Sequence, residues 1–137
     1  MSNSFNNWQA IADALIPACR DAVVNTAQKA QNNIQDVIKT NGQIKTGRMY
    51  TSVYNVSVEG SNYPSTSDPL LLPEVPKPES ELEATVAAGA SYSVFQDKGT
   101  VHMAGKPFWD QGMERARSDL DKAMEGVAKK LEDVAKQ

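Results

Sequence analysis

The residues able to do chemistry in this chain are few and poorly placed for it. His102 is the only histidine and Cys19 the only cysteine. A protein-held metal needs several His, Cys or carboxylate ligands at short spacing, and neither residue has such company. His102 with nearby Asp97 makes a lone base at most, and a loop or interface histidine is the plainer reading. Cys19 falls on the apolar stripe of a long helical pattern, where a thiol behaves as a small buried hydrophobe. Gly99-Thr100 and Gly105-Lys106 lack the Gly-x-x-x-x-Gly-Lys-Ser/Thr order that wraps a phosphate. The acidic side chains are spread along a helix rather than paired as a glycosidase requires. The sequence therefore predicts no enzyme, with no catalytic residue, cofactor or metal.

Binding has better material. The stretch from Tyr92 to Trp109 holds Tyr92, Phe95, Phe108 and Trp109 together with His102. Tyr92, Phe95 and Gln96 share one side of a helical turn. Gly99 permits a backbone reversal, Ala104-Gly105 gives a second flexible point, and Pro107 suits the first position of a helix. Phe108 and Trp109 follow with a large apolar area. They either close the core of the domain or meet another subunit. Asp97, Lys98, Lys106 and Arg48 would flank this connector with charge.

Around the connector the pattern predicts two long helices and a small sheet. Over residues 4–40, apolar side chains recur every three or four positions from Trp8 to Ile38. Pro17 predicts a kink or a break near Ile16, and Asn41-Gly42 a stop. Residues 49–59 alternate as a strand does. Tyr50, Tyr54, Val56 and Val58 lie on one face, with Met49, Thr51, Asn55, Ser57 and Glu59 on a more solvent-tolerant one. Residues 82–90 alternate again with small side chains. Between the strands, residues 61–81 hold Pro64, Pro69, Pro73, Pro76 and Pro78, a density that excludes helix and interior strand. A protruding arm is expected there. Its Leu70-Leu71-Leu72 either folds back on its own domain, docks on a neighbouring copy, or belongs to a disordered arm. Two strands alone are marginal, so a third is expected around residues 100–104 or from another subunit. Residues 107–135 carry the second helical pattern, from Phe108 and Gly112 through Met113, Ala116, Leu120, Ala123, Met124 and Val127 to Leu131 and Val134. The expected fold is α+β in a single domain over residues 1–137, with long N-terminal and C-terminal helices packed on a small antiparallel sheet.

Composition limits the classes. The chain has 137 residues, 40% hydrophobic and 23% charged, which suits one globular domain. A net charge of −3 argues against a general nucleic-acid coat. One cysteine excludes an internal disulfide. No apolar run approaches membrane-spanning length. The first residues lack the basic-then-apolar order of a secretory signal, so a cytoplasmic protein is expected unless a particle carries it out.

Two motifs resemble those of a known family. The order aromatic, acidic, Gly-Thr, Met, basic-Pro-Phe is carried by Tyr92, Phe95, Asp97, Gly99, Thr100, Met103, Lys106, Pro107 and Phe108. It is similar to the signature of the head–tail joining, neck or tail-completion proteins of long-tailed bacteriophages and prophages. Upstream, Thr46-Gly47-Arg48-Met49-Tyr50-Thr51-Ser52 resembles the family's Thr-Gly-x-Leu-x-x-Ser element. Asp97 stands where a glutamate is usual, Lys98 where an aromatic is usual and Met49 where a leucine is usual. The likeness spans most of the chain outside roughly residues 60–82.

The resemblance implies a structural virion protein at the head–tail junction, made in the host cytoplasm and assembling with itself into a ring. Its implied partners are head-side connector or portal-associated proteins and tail proteins. DNA would pass through the channel without sequence-specific binding, and no membrane is involved. The candidate subunit contacts are Leu70, Leu71, Leu72, Tyr92, Phe95, Asp97, Thr100, Lys106 and Trp109. Leu71→Asp is expected to abolish assembly and leave the monomer folded. Two other readings stay open. One is a tail terminator or minor capsid component of the same virion; the other is a non-phage cytoplasmic binding module whose proline-rich arm is a peptide ligand.

Overall fold

A computed structural model describes residues 2–42, 48–64, 69–100 and 103–136. The fold is α+β, with long N-terminal and C-terminal helices and a small three-stranded antiparallel sheet. In chain order the elements are α1 (Ser2–Thr40), α2 (Arg48–Ser52), β1 (Val53–Ser57), β2 (Gly60–Ser61), β3 (Thr85–Ala88), α3 (Ser93–Lys98), β4 (Gly99–Thr100), β5 (Met103–Ala104) and α4 (Trp109–Ala135). Among the described residues no helix is long and apolar enough to cross a membrane.

The long helices lie side by side and antiparallel. Near one end Ala18 and Ala22 of α1 pack on Val127 of α4, joined by Cys19, Ala123 and Leu131. Near the other, Gly112 of α4 meets Ile34 of α1 so closely that an added Cβ would stand 2.8 Å from the Ile34 Cα. Only a residue without a side chain allows that approach. Arg115 donates to Asp36 at 2.8 Å and Asn33 to Asp119 at 2.9 Å, tying the pair across its exposed flank. The helix α1 is unbroken through Pro17, so the alternative of a break near Ile16 is not realised. Pro17 is exposed, and the contacts of Ala18 and Ala22 with α4 hold the chain in line just beyond it. The helix ends where Asn41-Gly42 predicts, with Gly42 at φ 73°.

The main core forms where the sheet meets α1. Ile34, Val37 and Ile38 pack with Met49, Val53 and Phe108, and Tyr50, Val86, Ala88, Tyr92 and Trp109 close around them. The sheet order is β2-β1-β3. Val53 pairs with Ala88 and Val56 with Thr85, while Ser57 pairs with Gly60 across a tight hairpin.

Four expectations need correction. The segment 49–52 is not strand but the end of α2, because Ser52 Oγ donates back to the Met49 carbonyl at 2.7 Å and Gln35 donates to the Tyr50 carbonyl at 3.0 Å. The second strand starts at Thr85 rather than at residue 82. Ser80 accepts from Leu82 N through Oγ at 3.1 Å and from Glu83 N through its carbonyl at 3.3 Å, which curls the chain before it can extend. The third strand of the sheet is β2, whereas residues 103–104 pair only with Gly99–Thr100 in a separate hairpin. The face of β1 expected to tolerate solvent instead meets α1. Asn55 donates to Gln31 at 2.6 Å and to Gln28 at 3.1 Å, and Asn62 donates to Gln31 at 2.7 Å.

The arm, over its described residues, lies against the sheet and does not stand off. Leu71 bridges to Ala90, with Leu72 N donating to the Gly89 carbonyl at 2.7 Å and Ser91 N to the Leu70 carbonyl at 2.8 Å. The Tyr63 ring meets Tyr54 edge-on at 4.9 Å, and Val75 N donates to the Tyr54 hydroxyl at 3.0 Å. The opposite face of the sheet from α1 is thereby met by Tyr63, Leu71 and Val75 of the same chain.

Two glycines on α4 should respond with opposite signs. Gly112→Ala forces the helices apart and should cost about 1–3 kcal/mol of overpacking strain. Gly126 has open space around it, so Gly126→Ala should stabilise by about 0.5–1 kcal/mol through helix propensity. Urea unfolding midpoints at unchanged slope measure both.

Candidate interaction surface

The connector is built on Asp97. The helix α4 starts at Trp109 after Phe108, whose aromatic side chain cannot cap the first turn. Asp97 does so from across the connector. Its Oδ1 accepts from Phe108 N at 2.8 Å and from Trp109 N at 3.0 Å, satisfying two amides that the helix leaves without partners. A carboxylate there also meets the positive end of the helix dipole. Lys98 Nζ stands 3.8 Å from the other carboxylate oxygen.

The backbone between Asp97 and Phe108 is folded tightly enough to bring them together. Gly99 takes φ 88°, which turns the chain out of α3 into the β4–β5 hairpin. Gly105 returns so close that a Cβ would lie 2.5 Å from the Lys98 carbonyl carbon and 2.6 Å from the Asp97 oxygen. Lys106 N then donates to the Gln96 carbonyl at 2.8 Å. At the other end Asn41 donates to the Pro107 carbonyl at 2.8 Å, and Lys106 Nζ reaches the Asn41 carbonyl at 3.4 Å, so the exit of α1 is pinned to the entry of α4.

The structure divides the sequence-derived candidates into two groups. Asp97 is buried, Tyr92 and Trp109 pack against the main core, and Phe108 is fully buried within it. Asp97 therefore serves the fold, not a charged surface contact. Leu71 is partly buried, with its Cδ2 3.1 Å from where a Cβ on Gly89 would stand. Leu71→Asp would strike the folded monomer itself, which corrects the expectation of a purely assembly-defective variant. Leu70, Leu72 and Phe95 face outward, with Leu72 49% and Phe95 53% exposed. Lys106 is exposed at the edge. The side chains of Thr100, Met103 and Arg48, all of His102, and the Thr46-Gly47 half of the upstream motif lie outside the described residues.

Of these outward residues only Leu72 borders an apolar depression, of about 310 Å³. Leu72, Ala88, Ala90, Val94, Phe108 and Trp109 line it, with Lys98 at its edge. Val94, 54% exposed, was not among the sequence candidates. Its signal was a β-branched residue with no apolar partner three or four positions away within its own six-residue helix. Among the described residues no three His, Cys, Asp or Glu side chains gather as a metal site would require. What the arrangement offers is shape and apolar surface. No known family's profile matches the chain, and no characterised protein or solved structure is detectably similar to it.

Asp97→Ala should lower stability by about 1–2 kcal/mol, as loss of a helix cap does, while Asp97→Asn keeps an acceptor and most of the stability. Thermal and urea unfolding of the two variants side by side measure this.

Proposed function

We propose that the chain is a structural subunit of a tailed-phage virion, placed at the head–tail junction and assembling with itself into a ring around the DNA channel. The observation that carries the reading is the exposed apolar pair Leu72 and Val94 on a depression built from the same connector that holds the family-like motif. About half of each of these two residues is open to solvent, and single-chain packing gives no reason for them to adjoin. Aromatic and aliphatic anchors around a concavity are what subunit interfaces use. The motif residues themselves support the reading in a second way: Asp97, Gly99 and Phe108 shape the connector and serve as its platform, while neighbouring side chains make the contacts. The net charge of −3 suits a channel that lets DNA slide rather than holding it by its phosphates.

Light scattering after size exclusion, with negative-stain images of the peak, should show closed rings at a multiple of the 14.9 kDa chain mass. Leu72→Asp and Val94→Asp, both at exposed positions, should reduce those rings to smaller species without altering circular dichroism. Rings that survive both substitutions would remove this pair as the interface. A chain that forms no rings and is encoded away from portal, capsid and tail-tube genes would sink the proposal.

A further inference from the structure

A second apolar concavity, larger than the first, runs along the same side of the molecule. It lies between α1, α4 and the segment leading into β3, with a volume of about 550 Å³. Ala27 and Ala30 form its floor, and Leu82, Val86, Met113 and Leu120 its walls. It follows the depression described above along β3 and the first turns of α4. Glu83 and Arg117 bring charge to its margin, and Arg117 stands 3.5 Å from Glu114 on the same exposed helix face.

The matching projection is at the far end of α1. Val127 packs on Ala18 and Ala22, so at equal rise the last residue of α4 comes level with roughly residue 12 of α1. Trp8 stands one turn further out, past the end of its partner helix, and is 72% exposed, more than any other large apolar side chain described. It cannot reach the groove of its own chain, because the intervening helix is continuous and rises roughly 30 Å between residues 8 and 28. An indole buries about 150–250 Å² and needs a partner for its N–H when covered. The groove offers the space, small side chains beneath, the exposed Glu83 carboxylate at its margin as acceptor, and the Arg117 side chain for the ring face.

We propose that this groove receives Trp8 and the adjoining end of α1 from a second copy of the chain. The contact joins two different patches, so each pair of copies keeps one free groove and one free Trp8. Such an interface adds copies until the circle closes. The inference rests on reading the chain as a self-assembling subunit, and it names the contact that drives the assembly.

The full-length Trp8→Ala and Leu120→Glu variants test it. Both positions are exposed, so unchanged circular dichroism establishes that each folds. Wild type should assemble, and each variant alone should run as a 14.9 kDa monomer. An equimolar mixture of the two should form a one-to-one heterodimer and stop, since Trp8→Ala brings an intact groove and Leu120→Glu an intact Trp8. Either variant assembling as wild type does would overturn the contact, and so would a wild type that stays monomeric at high micromolar concentration. If Leu72→Asp breaks rings that Trp8→Ala leaves whole, the ring reading stands and this contact falls. If the mixture pairs as expected while wild type grows into open filaments, the contact stands and the ring reading falls.

Discussion

The near-contact of Gly112 with Ile34 is the constraint on which the rest of the structure depends. With an added Cβ barred at 2.8 Å from the Ile34 backbone, α4 is seated on α1 at the point where both also meet the sheet. That seat decides where Phe108 goes, since it lies one turn before Gly112 and drops into the cluster of Ile34, Val37, Ile38, Met49 and Val53. Once Phe108 is fixed, the start of α4 is fixed, and Asp97 can reach its two open amides. The charged ties between the helices are secondary. Arg115 and Asp36 are both largely exposed, and such pairs contribute about 0–1 kcal/mol. Each fully buried Ile, Val or Phe side chain contributes about 1.5–3 kcal/mol. Packing wins, and the ion pairs set azimuth more than stability.

How much of this could be read from the residues follows from the range of the forces involved. The two long helices announce themselves because periodicity is a local signal, and the Asn41-Gly42 stop and the turn at Gly99 are equally local. The α+β class follows from them. The state of residues 49–52 was not legible, because four alternating residues fit a strand as well as a helical turn. What decides it is Gln35, far away in sequence, bonding to Tyr50, with Ser52 turning back on Met49. The orientation of β1 misled for a related reason. Polarity normally marks the outer face, but here Asn55 and Asn62 converge on Gln31, which is itself buried on α1. A buried polar group is tolerated when its partners are complete, and no single-residue scale can see partners. The candidate surface was half legible. Leu72 and Phe95 could be picked out as apolar residues without a local role, but the inward turn of Asp97 depends on an amide pair supplied by another element.

The proline-rich arm shows how a segment without regular structure can complete a sheet. Three strands, one of them two residues long, would leave Tyr54 and Val56 open on the face away from α1. The arm supplies the missing layer instead of a second helix, and both side chains end fully buried. Prolines suit this because they hold the chain extended at little entropic cost while making no demand for ladder partners. The bridge at Leu71–Ala90 then anchors the layer just past the end of β3. The consequence is that β3 stays an edge strand along Thr85–Ala88. Edge strands invite further pairing unless they are protected.

That open edge, the depression beside Trp109 and the groove beneath Leu120 all lie along β3 and the first half of α4. The opposite extreme of the molecule is a single helix end carrying Trp8. Small residues at the floor leave the concavity, and the length of α1 leaves the projection. Either feature alone is an ordinary imperfection of packing. In the proposed contact they meet between copies, because roughly 30 Å of continuous helix keeps them apart within one chain. A rigid spacer between a knob and a hole would then set the distance from one copy to the next. On that reading the length of α1, unbroken through Pro17, belongs to the assembly geometry as much as the surfaces it separates.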